Sequence, residues 1–166
     1  QGNRASYNLF GYDNLIPVAS ITNATINDIA FSSFERTYSS GNPFVWNWTS
    51  TPVSIFDRGS PTGNYYSTEA VFTDIISYKN KPYVLSFWAK GNNFILTPQI
   101  LLTQKIAAPT INGWTYYEYE VAPTNSYYTI SVNGNGIGID ELRLFPKGAG
   151  IHTITYDLDF GKTSEC

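Results

Sequence analysis

The chain is 166 residues long, enough for one domain with a substantial core and short for two. Aromatic residues make up 16% of it (13 Tyr, 10 Phe, 4 Trp) and charged residues 14%, which excludes the usual disordered chain, whose apolar surface is too small to offset ordering entropy. A net charge of −3 disfavours a phosphate-rich nucleic-acid partner, and no apolar run approaches the roughly 20 residues of a spanning helix, so neither nucleic-acid binding nor membrane insertion is expected.

Strong helix formers are scarce, while Ser, Thr, Asn, Tyr and Val are plentiful, which predicts an all-β fold. Residues 1–27 form a lead without dense alternation, and the first ten carry neither the basic start nor the apolar stretch of a signal peptide. Strands are expected at 29–34, 53–57 and 65–73, separated by Gly-, Asn- and Pro-rich breakers. The clearest strand is 83–90, where Tyr83, Leu85, Phe87 and Ala89 share a core face and Val84, Ser86, Trp88 and Lys90 share the other. Another is expected at 94–102. At 115–121, Tyr117, Tyr119 and Val121 face the core, opposite Tyr116, Glu118 and Glu120. Tyr128, Ile130 and Val132 then alternate up to an Asn133-Gly134-Asn135-Gly136 turn, and 137–145 closes the set with Leu142 and Leu144 inward. Short strands at this spacing read as a two-sheet antiparallel β-sandwich, a jelly roll, over residues 28–146, with 147–166 as a tail.

Catalytic chemistry is hard to assemble from these residues. The only histidine, His152, lies in the tail, the only cysteine is Cys166, and none of the common nucleophile, phosphate-loop or zinc spacings occurs. Carboxylate pairs of the kind glycosidases use exist at Glu118/Glu120, Asp140/Glu141 and Asp157/Asp159, but solvated strand carboxylates are the commoner origin of such pairs. The expectation is a protein without catalytic activity.

Aromatics on polar faces carry more information. A sugar ring offers an apolar C–H face to Trp or Tyr and hydroxyls to neighbouring amides and charges. Trp88 with Lys90, and Tyr116 with Glu118, build one such patch if their strands are neighbours, and Tyr127 and Arg143 extend it. The alternative is that Trp88 packs beneath a loop or the lead. Trp46 and Trp48 alternate with Asn47 and point the same way, at least one of them into the core, while Trp114 begins a strand where an indole commonly caps a core. Glu35 ends the first sandwich strand, and Asp140 shares the parity of Leu142 and Leu144. A carboxylate on a core face needs a partner, either a hard cation such as calcium or a salt bridge to Arg36, Arg58 or Lys90.

The strings Phe31-Ser32-Ser33-Phe34-Glu35, Pro61-Thr62-Gly63-Asn64-Tyr65, residues 83–90, Gly113-Trp114-Thr115-Tyr116-Tyr117 and Ile139-Asp140-Glu141-Leu142-Arg143-Leu144 occur in an order that resembles the jelly-roll carbohydrate-binding modules of bacterial polysaccharide-degrading enzymes. The resemblance implies a structural calcium held by Glu35 and Asp140. It also implies a polysaccharide or cell-surface glycan bound on a concave sheet bearing Trp88 and Tyr116. Gly11-Tyr12-Asp13-Asn14 in the lead and Thr155-Tyr156-Asp157 through Cys166 in the tail are similar to segments of large Bacteroidetes-type surface or secreted proteins with Rhs/YD repeats. That second likeness implies a secreted or surface-located bacterial module whose partners include neighbouring modules of the same polypeptide, and it keeps open a structural or adhesive spacer without sugar binding.

Overall fold

The computed structural model describes residues 6–11, 16–25, 28–35, 46–48, 54–75, 81–123, 128–157 and 161–166. Their strands, in chain order, are β1 (Ser6–Gly11), β2 (Ile16–Thr22), β3 (Ala30–Ser32), β4 (Asn47–Trp48), β5 (Ile55–Phe56), β6 (Tyr65–Tyr66), β7 (Ala70–Ile75) and β8 (Tyr83–Ala89). There follow β9 (Ile95–Thr97), a single 3₁₀ turn at Gln99–Leu101, β10 (Leu102–Ala107), β11 (Thr115–Val121), β12 (Tyr128–Asn133), β13 (Ile139–Pro146), β14 (Gly150–Asp157) and β15 (Gly161–Glu165). The protein is all-β, as its composition implies. Its described strands form four antiparallel sheets rather than the two expected, ordered β10-β11-β8-β13-β3, β4-β7-β12-β9, β1-β2-β14-β15 and β5-β6.

The five-stranded sheet is the centre of the molecule because both of its faces carry apolar side chains. On one face Leu85, Phe87 and Ala89 of β8, Val121 of β11, and Ile139, Leu142 and Leu144 of β13 join Val71, Ile130 and Val132 of the β4-β7-β12-β9 sheet in one buried cluster. The period-2 reading of strands 83–90, 115–121 and 128–133 therefore holds side chain by side chain. Trp46 belongs to this cluster, while the side chain of Trp48 lies outside the described set. The turn after β12 has Asn135 and Gly136 in the left-handed region, as the Asn-Gly-Asn-Gly string implies.

On the opposite face, Phe31 of β3 and Phe145 of β13 pack with Leu9, Val18, Ala19 and Ile21 of the lead in a second cluster. Lead and tail, which carry no dense alternation, pair with each other: β2 lies antiparallel to β14 in the register Thr22↔Gly150 to Ala19↔Thr153. Thr153 and Thr155, both buried, fill inward positions of β14, so that strand's pattern is hidden by residues that read as polar. β13 departs from simple alternation as well. Its pairing with β8 shifts between Asp140 (opposite Trp88) and Arg143 (opposite Ser86), and Glu141 inside the bulge adopts φ 51°. The extra residue reverses the parity, so Asp140 lies on the Trp88 side of the sheet and not, as expected, on the Leu142 and Leu144 side.

Candidate functional site

β8 and β11 are neighbours in full register, with Tyr116 opposite Trp88 and Glu118 opposite Ser86, and β13 on the other flank of β8 sets Arg143 opposite Ser86. The structure thus brings Trp88, Tyr116, Glu118 and Arg143 together on the outer face. The indole and phenol rings are 5.5 Å apart with planes at 60°, both half-buried. The Tyr116 hydroxyl donates a long 3.4 Å hydrogen bond to Glu118 Oε2. Burial pushes the Tyr116 phenol above its ordinary range, while Ser86 and Arg143 pull the other way. Arg143 is only 8% exposed, and its Nε has no partner among the described residues.

This strip runs between two covers. At one end the β5-β6 hairpin lies over Trp114, with Tyr66 meeting the indole edge-on at 5.5 Å. Trp114 is 1% exposed, so it closes a core, as expected of an indole opening a strand. Lys90 is spent here too. Its Nζ pairs with Asp57 at 3.0 Å and sits 5.6 Å and 5.8 Å from the Trp114 and Tyr66 rings, which ties it to the hairpin loop. At the other end the lead-and-tail sheet covers Phe31 and Phe145. Tyr127 lies outside the described residues.

Beside the strip, the Pro61-Thr62-Gly63-Asn64-Tyr65 part of the β5-β6 hairpin loop is held by carboxylates from two distant parts of the chain. Glu35 Oε1 accepts the backbone N–H groups of Asn64 (2.9 Å) and Tyr65 (2.8 Å). Asp140 Oδ2 accepts the N–H and hydroxyl of Thr62, both at 3.1 Å, and Oδ1 accepts the Glu141 N–H at 2.7 Å. The same Thr62 hydroxyl lies 3.0 Å from Glu141 Oε2, so its single proton is shared between the two carboxylates, and Glu141 also accepts a hydrogen bond from the Thr153 hydroxyl. Asp140 and Glu141 are both 0% exposed. Burial, then the charge of Glu141, raises the Asp140 carboxyl well above its ordinary range, and burial raises Glu141 against the opposing pull of Arg143 and the two threonines.

These donors suit calcium in kind, because every one is a hard oxygen and the buried acidic pair needs a neutralising charge. In number the fit is thinner: among the described residues no three Asp, Glu, His or Cys side chains converge as a metal-binding group, and the Glu35 and Asp140 oxygens named above already accept N–H groups. Of the three cations expected as partners for these acids, Lys90 goes to Asp57, Arg58 lies 6.0 Å from the Phe56 ring, and Arg36 lies outside the described residues.

Sequence reasoning did not reach Thr62 and Thr153, whose hydroxyls meet Glu141 only because β14 and the Thr62 loop converge on the bulge. Nor did it separate Tyr117 and Tyr119 from ordinary core. Two tyrosines in succession on an inward face, each with a hydroxyl to satisfy, were the available sign that this face is not fully covered.

No protein-family model, no curated protein and no solved structure matches this chain. No helix among the described residues is long and apolar enough to cross a membrane.

Proposed function

We infer that the chain is a non-catalytic glycan-binding β-sandwich, of the jelly-roll kind found in carbohydrate-binding modules, and that it works at a bacterial surface or outside the cell. The observation that carries this reading is the Trp88–Tyr116 pair, opposite one another on neighbouring strands and flanked by Glu118 and Arg143. Two rings on one face offer stacking area to the C–H faces of a sugar, and the half-buried Glu118 beside them offers a charged acceptor to its hydroxyls. Glu35 and Asp140 would hold a structural calcium, which would supply positive charge at the Thr62 loop and so steady the hairpin that flanks the strip. Affinity gel electrophoresis with soluble polysaccharides tests the reading: retardation is expected for the native chain and is reduced in Trp88→Ala. A chain that stays folded and is retarded by no polysaccharide refutes it.

A second reading, a structural or adhesive spacer whose partners are neighbouring modules, is favoured by the lead-and-tail sheet, which covers part of the same outer face. It is separated from the first by the same gel.

A further inference from the structure

The outer strip is not the only place on the central sheet with sugar-like chemistry. On the opposite face, where β10 and β11 reach past the edge strand β9, the structure has a groove of about 610 Å³. That size is within the usual range for small-ligand sites. We propose that this groove is a second binding site, and that it takes an uncharged saccharide.

Three aromatic rings line it. Phe94 and Tyr117 meet edge-on at 4.9 Å, and Tyr119 is the third. Phe87 lies behind them in the core, stacked on Tyr119 at 6.1 Å with planes 2° apart and on Tyr117 at 5.8 Å. The rings are therefore fixed before any ligand arrives, and little side-chain entropy remains to be lost on binding. The lining also includes three residues with side-chain amides, Asn92, Gln99 and Gln104. The Tyr119 hydroxyl donates to Gln104 Oε1 at 3.1 Å, which orients that amide and leaves its NH₂ group to donate.

No charged side chain is among the described residues that line the groove. Phosphates, sulfates and uronates would find no charged partner in this lining, and so no charge-assisted hydrogen bond. A neutral sugar meets the lining on its own terms, with C–H faces against the rings and hydroxyls toward groups that both donate and accept.

The register of β10 against β11 explains why one strand serves both sites. Gln104 pairs with Tyr119 and Ala107 with Tyr117 on the groove face, and the shift between Gln104 and Ile106 places Ile106 opposite Glu118 on the outer face. Tyr117 and Tyr119 thus face the groove, and Tyr116 and Glu118 the strip, by alternation along a single strand.

The proposal borrows its ligand class from the glycan-binding reading but not its site, and one experiment separates the two. Neutral oligosaccharides (linear β-1,4-glucan, xylan and mannan and α-1,4-glucan pentamers) are titrated into the ¹⁵N-labelled full chain. The side-chain amide signals of Asn92 and Gln104 report the groove, and the Trp88 indole signal reports the strip. The expected result is saturable movement of the amide signals by at least one pentamer, with affinity at least tenfold weaker in Gln104→Ala. Tyr119→Phe, which keeps the ring and removes only the hydroxyl that orients Gln104, is expected to weaken binding severalfold. Trp88→Ala should leave this site unchanged. Movement of the Trp88 signal alone, insensitive to Gln104→Ala, overturns the groove and leaves the strip standing. Movement of the groove signals alone does the reverse. Silence of both signals to every pentamer overturns both sites.

Discussion

Replacing Gly63 by alanine tests the carboxylate clamp on the β5-β6 loop directly. Gly63 has φ 60°, and a Cβ built on it would overlap the Glu35 carboxylate. Left-handed backbone costs an L-residue about 1–2 kcal/mol. The larger penalty is displacement of Glu35, whose Oε1 holds the Asn64 and Tyr65 N–H groups, since hydrogen bonds to a charged group contribute about 1.5–3 kcal/mol each. With part of that loss recovered by water at a half-buried site, a destabilisation of about 4 kcal/mol is expected, which in a chain of this size lowers Tm by roughly 8–16 °C. Gly113→Ala is the control: φ there is 83°, but no atom lies within 4 Å of the added methyl, so only the conformational cost of about 1–2 kcal/mol remains. Both variants would be melted by far-UV circular dichroism in the presence of chelator. If Gly63→Ala loses no more than Gly113→Ala, the Glu35 carboxylate does not seat against the loop and the clamp is wrong.

The buried acidic pair carries a pH signature. Asp140 and Glu141 bind their protons more tightly folded than unfolded, so without a cation stability is greatest below the ordinary carboxylate range and declines as pH climbs above about 4. Glu141→Gln should flatten that decline in melts run across this range, and an unchanged slope would mean that the pair is not the source. If calcium binds there, it raises Tm at neutral pH by mass action, about 2.7 kcal/mol at a hundredfold excess over Kd, and chelator reverses the gain; an identical melt with and without calcium removes the ion from the proposal. Phe87→Ala empties a fully buried position between Phe94, Tyr117 and Tyr119, and is expected to cost about 3–5 kcal/mol in urea unfolding. Ile21→Ala, in the second cluster, should cost about 2–4 kcal/mol; a change below 0.5 kcal/mol would show that the lead contributes no core.

Much of this architecture is written locally. Strand alternation is a period-2 property of neighbouring residues, so β8, β11 and β12 and the division of their side chains between two faces follow from the sequence alone, down to Phe87 and Tyr117 inward and Trp88 and Tyr116 outward. The pairing of Trp88 with Tyr116 needed only the further condition that β8 and β11 be neighbours. What covers each face is not a local property. Trp88 remains half-open because the β5-β6 hairpin and the lead-and-tail sheet stop on either side of it, and Lys90 leaves the strip because Asp57, far away in sequence, reaches it first. The β13 bulge is equally silent in sequence: one inserted residue turns Asp140 to the Trp88 side, and Thr62 and Thr153 reach the Asp140–Glu141 pair from two other segments. The groove is the clearest case, since Tyr117 and Tyr119 have the pattern of core residues but line a groove where β9 is the edge strand of the facing sheet among the described strands. Composition and periodicity determined that this protein is all-β and which side chains share a face. Tertiary structure alone decided which of those faces stay open, because burial depends on where distant strands end.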